Sequence, residues 1–470
     1  MLGSSSLRSL TPYCVLLSLA VPTVLSASWR RSSSSSGEIA LPFSRRDTIG
    51  VAIGVEHSGD GAYFVFTTVG QSSMSLSIAT DLGDFVAISA GCQTVSCKHF
   101  HSTLYNASAV FLPLTNSTVS LFYNDEAAPG LIGQELVVIG GLSVTDQTLA
   151  AISSFNESNL FNGTAGILGL GFPIQSSTAN LGTSPYVRSG TSLSRYLPPH
   201  GAGLVAARSS DSSASSNTSA SDVLAQLYAH GPIITTLSSY GHISEPIFSL
   251  TFNPNVSHAG TNESGQLTIG TFPTGVDNSS LTWAPVRLYD IGLNGSVPLH
   301  WEVEIDAVFL DGNLLPGSSL VPKVTATVDT TATATGGPKD AVDTILAAIS
   351  STPPACNGSH TLSFQIGGKL FSIAPQDLVT PTRRGCAVNV ETIDSLSSNS
   401  TLYSWRLGAP FLRSNLVAFH YGNLTHPSIE PPRMGFMRSN DARSTRTGVG
   451  VAHCGWLAMV LVGVGMILWF

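Results

Sequence analysis

Charged side chains are scarce in this sequence of 470 residues, which contains 21 Lys and Arg and 29 Asp and Glu. With so few basic residues, no patch of positive charge is available to neutralise phosphates, which argues against a nucleic-acid partner. Helical periodicity is also scarce along the chain. Apolar residues, in contrast, make up 43% of the sequence and aromatic residues 8%, which argues against intrinsic disorder.

From residue 49 onward the sequence shows short apolar runs, rich in Val, Thr and Ile and separated by Gly, Asn, Asp and Ser. This pattern is typical of β-strands. Only two short helices are predicted, Ala220–Ala229 and Lys339–Ser350. The length suggests two lobes or one large all-β domain. A weak repeat of apolar runs and turns favours two related β lobes, residues 49–222 and 223–440. Residues 176–221 form a Ser-rich surface insertion in the first lobe or a loop between the lobes.

The two ends of the chain indicate export to the cell surface. Residues 1–27 resemble a secretory signal, and residues 28–48 form a short propeptide or linker. Residues 441–470 combine a polar spacer with an apolar tail that no basic residue follows, which is typical of a GPI-attachment signal. A single membrane span is the alternative for this tail. The predicted location is the extracellular face of the membrane or the cell wall, or, without the anchor, the secreted fraction.

Cysteine is rare, with six residues, one of them in the predicted signal and one in the tail. An even number in an oxidising compartment favours two disulfides over a metal site. Proximity in sequence favours Cys92–Cys97 and Cys356–Cys386, although four cysteines allow three pairings. Twelve Asn-x-Ser/Thr sites spread over the chain predict a glycoprotein.

Five segments occur in the order found in the pepsin-like aspartic proteases (peptidase family A1): residues 123–142, 163–172, 246–250, 265–270 and 405–413. They cover the family's flap hairpin, its two Gly-containing loops and the opening of its second lobe. The chain therefore resembles this family over nearly all of residues 49–440, and its predicted anchor resembles that of the GPI-anchored fungal yapsins. The resemblance implies an all-β fold of two lobes, with a cleft between them and a hairpin flap. It implies no cofactor and no metal.

Proteases of this family need two aspartates, one on each lobe and each in an Asp-Thr-Gly turn, which share a proton. The second turn is partly kept, because Asp329 and Thr330 match while Thr331 replaces the glycine. Tyr123 matches the flap tyrosine. The resemblance therefore implies that Asp329 is catalytic and that Tyr123 and Thr330 line the substrate cleft.

The first turn departs further from the family pattern. Counted without gaps from Cys92, it falls on Ala79, Thr80 and Asp81, so that alanine stands at the catalytic aspartate and Asp81 at the glycine. Thr80 remains as a cleft residue. Because alanine has no titratable group, this alignment predicts a lost carboxyl pair. We interpret Asp81 and Asp84 as turn residues that accept local main-chain hydrogen bonds.

A second alignment makes Asp81 the first residue of a modified turn. It restores a carboxyl pair of Asp81 and Asp329, but it places Leu82 where the family has a threonine. The two alignments lead to different functions.

The first alignment predicts a surface-anchored, catalytically impaired pseudo-protease that binds an extended peptide or protein in its cleft. The second predicts an active aspartic-type endopeptidase that uses Asp329 with Asp81. The third alternative is a glycoprotein with a purely structural role that retains the fold of the family.

Overall fold

The computed structural model describes residues 50–57, 62–98, 103–115, 118–123, 126–155, 161, 163–182, 220–253, 264–290, 296–317, 324–351, 359–382, 385–393, 405–427 and 429–439. All of these residues belong to one compact unit, Asp47–Phe470. The predicted signal (1–27), propeptide (28–48) and anchor (441–470) lie outside the described residues. Within these ranges, no helix is long and apolar enough to span a bilayer.

The first half of the described chain is built from short strands: β1 (Val51–His57), β2 (Tyr63–Val69), β3 (Ser72–Ala79), β4 (Phe85–Ile88), β5 (Leu112–Pro113), β6 (Val119–Tyr123), β7 (Glu126–Ile139), β8 (Leu142–Ile152) and β9 (Gly166–Gly169). At its centre β3 pairs in parallel with β9, β9 pairs antiparallel with β4, and β4 pairs in parallel with β8. Strands β3 and β4 are almost fully buried, which agrees with their apolar runs.

The second half supplies the remaining strands: β10 (Ile247–Phe252), β11 (Gly265–Ile269), β12 (Thr282–Asp290), β13 (Ser296–Glu304), β14 (Ala307–Leu310), β15 (Asn313–Leu314), β16 (Thr325–Val328), β17 (Thr335–Gly337), β18 (Leu362–Ile366), β19 (Lys369–Ile373), β20 (Val379–Thr382), β21 (Gly385–Val388), β22 (Val390–Thr392), β23 (Trp405–Leu407), β24 (Asn415–His420) and β25 (Arg433–Arg438). Here β16 pairs in parallel with β23, β23 antiparallel with β17, and β17 in parallel with β22. The same sequence of pairings thus occurs in both halves, and the predicted all-β fold of two related lobes is confirmed.

Six antiparallel strands join the two lobes in the order β1-β11-β10-β24-β25-β12. Aromatic rings pack on this sheet: Phe248 stacks on Phe419 with centroids 4.5 Å apart, and Trp301 lies 4.3 Å from Phe172. The Trp301 Nε1–H donates a hydrogen bond of 2.8 Å to the carbonyl of Leu170, which lies just beyond β9 in the first lobe. The sheet and these contacts hold the lobes in one compact unit.

The helices are short: α1 (Val95–Lys98), α2 (Ser177–Gly182), α3 (Ala220–Ala229), α4 (Ile233–Ser239), α5 (Lys339–Ser351), α6 (Pro375–Leu378) and α7 (Ala409–Ser414), together with a 3₁₀ turn at Pro173–Gln175. Both helices predicted from the sequence are confirmed. The first has the predicted limits, and the second extends one residue further, to Ser351.

Helix α3 runs across residue 222, where the boundary between the lobes is predicted. The segment that follows α3 bonds to β8 of the first lobe: Gln147 Nε2 donates to the carbonyl of Gly231 at 2.9 Å, and Thr148 Oγ1 lies 3.0 Å from His230 Nδ1. The apolar side chains of α3 and α4 are buried in the common core. The boundary itself stays a prediction.

The predicted Ser-rich insertion begins with buried residues. Ser176, Ser177 and Thr178 are buried, and the chain continues as helix α2. The part of the insertion from residue 183 to residue 219 lies outside the described residues.

The Cys92–Cys97 disulfide predicted from the sequence is present. Cys386 is also disulfide-bonded. Its predicted partner, Cys356, lies outside the described residues, so this pairing stays a prediction.

Candidate active site

Two turns meet where the lobes face each other, one after β3 and one after β16. In the first lobe Ala79, the last residue of β3, pairs with Gly169. In the second lobe Val328, the last residue of β16, pairs with Leu407, so that Asp329 lies beside Gly408. Ala79 and Asp329 therefore occupy corresponding positions in the two halves of the repeat.

Both glycines are required by the close approach of neighbouring main chain. A Cβ atom on Gly169 would lie 2.3 Å from the carbonyl oxygen of Asp84. On Gly408 it would lie 2.2 Å from the carbonyl oxygen of Ala334. The two turns are thus built by the same packing in each lobe.

Thr80 and Thr330, the next residues of the two turns, bond to each other across the lobes. The N–H of Thr80 donates to Thr330 Oγ1, and the N–H of Thr330 donates to Thr80 Oγ1, each at 3.1 Å. The hydroxyl of Thr80 donates to the carbonyl of Val328 in β16 at 2.8 Å. The hydroxyl of Thr330 donates to the carbonyl of Ile78 in β3 at 2.6 Å. Four buried hydrogen bonds fix the separation of the turns.

Asp329 is 7% exposed, and its carboxylate is oriented by the residue two positions later. Its Oδ1 atom accepts hydrogen bonds from the main-chain N–H of Thr331 at 2.8 Å and from the hydroxyl of Thr331 at 2.6 Å. Both donors belong to the same residue and hold the Asp329 carboxyl in one orientation. Thr331, which replaces the glycine of the family pattern, therefore adds a donor to the site.

Ala79 is completely buried and packs in an apolar cluster with Val86, Leu121 and Ile167. No polar group of its own reaches the site. Val86, which stands where the family has a tryptophan, is buried in the same cluster. Position 79 therefore contributes only a methyl group.

Asp81 is half-buried, but its Oδ1 atom is inaccessible to solvent and has no hydrogen-bond partner among the described residues. Burial raises the pKa of the Asp81 carboxyl well above its usual value, and the negative charge of Asp329 raises it further. Smaller opposing effects come from the main-chain N–H groups of Asp81 and Leu82 and from the positive charge of Arg406. The structure therefore brings a carboxyl group of each lobe within electrostatic reach of the other.

The second alignment of the first turn is wrong in one respect. It placed Leu82 at the position of the family threonine, but Thr80 makes the hydrogen bonds across the lobes. The carbonyl of Leu82 instead accepts a hydrogen bond of 2.7 Å from the N–H of Gly171. The proximity of Asp81 to Asp329 thus does not depend on that alignment.

Asp84 is not a turn residue with only local hydrogen bonds, as the sequence suggested. Its Oδ1 atom accepts hydrogen bonds from the hydroxyl of Ser176 at 2.5 Å and from the N–H and hydroxyl of Thr178 at 2.9 and 2.8 Å. These partners lie more than ninety residues further along the chain. Asp84 therefore anchors the start of α2 beneath the first turn, and no local sequence signal could have revealed this role.

Strands β6 and β7 form the predicted hairpin. Tyr123, the last residue of β6, pairs with Glu126, the first residue of β7.

No group of His, Cys, Asp and Glu within the described ranges is arranged to hold a metal ion.

A family model described as "Eukaryotic aspartyl protease" matches residues 62–189 and 215–426. Pepsin A of Bos taurus is 22% identical over 378 residues, which cover 77% of this chain and 82% of that protein. Pepsin A of Sus scrofa is also 22% identical, covering 78% and 81% of the two chains. Major aspartyl peptidase 1 of Cryptococcus neoformans is 20% identical, covering 77% and 67%. The matches to the family model include both turns of the site.

Proposed function

Because the chain belongs to the eukaryotic aspartyl protease family, we propose that it binds extended peptide or protein segments in the cleft between its lobes and that its catalysis is impaired. The observation that carries the proposal is the set of reciprocal hydrogen bonds between Thr80 and Thr330. These bonds align Ala79 with Asp329, so the usual pair of acids lacks one member.

An extended peptide can bind such a cleft through main-chain hydrogen bonds, much as a strand is added to the edge of a sheet. Two features support such binding: β6 and β7 form a hairpin, and the two turns are bonded to each other across the lobes. Binding of this kind needs no carboxyl group at position 79. Loss of the acid is therefore compatible with a retained binding function.

Catalysis depends more strongly on the missing group. The loss of one positioned acid or base lowers the rate of a reaction by about 10²- to 10⁴-fold. Ala79 can neither donate nor accept a proton, and its neighbours in the buried cluster are apolar. We therefore expect slow hydrolysis or none.

We further propose that the protein acts at the outer face of the cell, held there by a GPI anchor attached near residue 440. The support is the signal-like sequence of residues 1–27, the anchor-like sequence of residues 441–470 and the density of glycosylation sites. Mass spectrometry of the mature protein, with and without phosphatidylinositol-specific phospholipase treatment, tests the anchor. A C-terminal peptide that ends at Phe470 would exclude it.

An active aspartic-type endopeptidase is the second candidate function, and one observation favours it. The negative charge of Asp329 contributes to the raised pKa of the Asp81 carboxyl. A second carboxyl beside Asp329 is what acid–base hydrolysis by this family needs.

The experiment uses the secreted ectodomain. Binding of a statine-type peptide is measured by calorimetry, and cleavage of a mixed peptide library is followed between pH 3 and 6. We expect micromolar or tighter binding and little cleavage. Fast cleavage that the statine peptide inhibits and that Asp329→Asn removes would support the second candidate. Absence of binding would leave only the structural role. Asp277→Asn, in an exposed turn, is the matched control.

A further inference from the structure

An arginine, Arg406, lies in the strand next to the one that carries Asp329. Resting on the proposed peptide-binding cleft, we infer that Arg406 gives this cleft a preference for peptides with an acidic side chain, Asp or Glu, close to the two turns. Arg406 is then a specificity-determining residue of the cleft and takes no part in acid–base chemistry. This role does not depend on a carboxyl group at position 79.

The pairing of β16 with β23 places Arg406 on the same side of the sheet as Asp329. Thr327 pairs with Arg406, and the N–H of Asp329 extends this pairing with a hydrogen bond of 3.0 Å to the carbonyl of Leu407. Side chains alternate between the two faces of a strand, so Thr327 and Asp329 point to one side. Arg406, opposite Thr327, shares that side. Its neighbours Trp405 and Leu407 are fully buried in the core on the other side.

Arg406 is oriented on this face by an ion pair that reaches across one strand. Its Nη2 atom pairs with Oε1 of Glu391 in β22. Between them, in β17, lies Gly336, which pairs with Arg406 on one side and with Glu391 on the other. A Cβ atom at position 336 would lie 2.5 Å from Cγ1 of Ile393 and 3.4 Å from Cβ of Arg406. Because glycine has no side chain, the path from Arg406 to Glu391 is open.

The ion pair leaves part of the Arg406 guanidinium available. Its Nε–H is buried and has no hydrogen-bond partner within the described part of the chain. An unpaired buried donor is costly, and a carboxylate that accepts from two guanidinium N–H groups at once would satisfy it. The Arg406 side chain is 31% exposed and that of Glu391 47%, so a ligand can reach the pair.

The positive charge of Arg406 also acts on the first lobe. Burial and the charge of Asp329 raise the pKa of the Asp81 carboxyl, and the charge of Arg406 opposes this rise. Asp81 belongs to the first turn and Arg406 to the second lobe, so the guanidinium is directed towards the space between the lobes. An extended peptide in the cleft would pass through this space.

A second acid on this face, Glu302, does not compete for Arg406. Glu302 lies in β13, is fully buried and accepts a hydrogen bond from the hydroxyl of Tyr289. It has a cation of its own, because Arg287 Nη1 lies 3.4 Å from its Oε1 atom. Among the described residues, Glu391 is therefore the only acid that forms an ion pair with Arg406. A peptide carboxylate has to displace or share this one partner.

The test compares statine-type peptides that differ in a single side chain. Each position near the statine carries Glu in one peptide and the uncharged Gln, of nearly equal size, in its partner, and all peptides have an amidated C-terminus. Calorimetry with the purified protein at about pH 6.5, where a free Glu carboxyl is ionised, gives the dissociation constants. We expect the wild type to bind the Glu peptide about tenfold more tightly than the Gln peptide at one position.

Two variants separate the charge of Arg406 from its packing. Arg406→Gln should bind the Glu and Gln peptides equally. Glu391→Gln frees the guanidinium and should increase the preference for Glu, which would not happen if the ion pair served only the fold. Arg438→Gln is the control: it removes an exposed arginine that donates to the carbonyl of Leu370, and it should leave the preference unchanged.

Equal binding of the Glu and Gln peptides by the wild type at every position would overturn the inference and leave the proposed function standing. This comparison needs no variant, so it holds even if Arg406→Gln fails to fold. A preference for Glu that persists in Arg406→Gln would also overturn the inference, because another group would then bind the acid. If no peptide binds at all, the proposed function fails and the inference fails with it.

Discussion

Thr80 and Thr330 each donate a main-chain hydrogen bond to the other's side-chain oxygen at 3.1 Å, and both are almost completely buried. Removal of one hydroxyl leaves a buried N–H without an acceptor, which costs about 1–3 kcal/mol. We therefore predict that Thr330→Val lowers the free energy of unfolding by about 2 kcal/mol. Urea denaturation followed by tryptophan fluorescence measures this change.

The matched control is Thr274→Val, because Thr274 lies exposed in a turn. Its effect should stay within about 0.5 kcal/mol, as for most surface substitutions. Equal stability of the two variants would show that the hydrogen bonds between Thr80 and Thr330 contribute nothing to the free energy of unfolding. They could then not be what holds Ala79 and Asp329 at corresponding positions.

Gly169 marks the point where β9 passes closest to the first turn. A Cβ atom there would lie 2.3 Å from the Asp84 carbonyl oxygen and 2.6 Å from its nitrogen, both main-chain atoms that cannot rotate away. We predict that Gly169→Ala destabilises the fold by more than about 3 kcal/mol or prevents folding.

Gly91→Ala is the control for this substitution. The nearest atom to a Cβ at position 91 is the Ser89 hydroxyl at 3.5 Å, which is ordinary contact. This variant should fold and should unfold at the same urea concentration as the wild type. Normal stability of Gly169→Ala would contradict the packing described for the turn.

The sequence predicted the scaffold well because the scaffold follows local rules. The short apolar runs correspond to buried strands such as β3. The helix predicted at residues 220–229 is present with the same first and last residues. The lobe boundary stays a prediction, because nothing in the local sequence of α3 says which lobe will cover its apolar face. That is decided by bonds such as the one from Gln147 to Gly231, which joins residues far apart in the chain.

The site was predicted less completely. The substitution of alanine at position 79 is visible in the sequence, and so is an aspartate at position 81. What the sequence could not give is the burial of the Asp81 Oδ1 atom, which depends on contacts between residues far apart in the chain. For the same reason the long-range anchoring of Thr178 by Asp84 was missed.

His420 gives the protein a predictable loss of stability in acid. Burial, together with the positive charge of Arg433, lowers the pKa of its imidazole from 6.5 to about 4. Between these values the unfolded chain binds a proton that the folded protein does not, so stability falls as the pH drops from 6.5 to 4. A difference of this size corresponds to about 3 kcal/mol.

The variant His420→Gln should therefore show a flatter dependence of unfolding free energy on pH between 6.5 and 4, whatever its stability at neutral pH. The exposed His242→Gln is the control, and its slope should match that of the wild type. Urea denaturation at half-unit steps of pH gives both slopes. Equal slopes for all three proteins would show that His420 is charged in the folded state.

Asp377 and Arg413 form an ion pair at 2.7 Å in which both side chains are largely buried. Arg413 also donates a hydrogen bond of 3.4 Å to the hydroxyl of Tyr63, which belongs to the first lobe and stacks on Phe252. Burial raises the pKa of the Asp377 carboxyl, although the charge of Arg413 opposes the rise. The pair therefore connects α6 and α7 to the strand β2 of the opposite lobe.

We predict that Asp377→Asn destabilises the fold by about 3 kcal/mol, because it leaves the buried guanidinium of Arg413 without its counter-charge. The double variant Asp377→Leu/Arg413→Met should recover part of this loss, since replacing both charges removes the uncompensated one. Urea denaturation of Asp377→Leu, Arg413→Met and the double variant gives the coupling energy between the two positions. Strictly additive effects would mean that Tyr63 and solvent, rather than Asp377, stabilise the charge of Arg413.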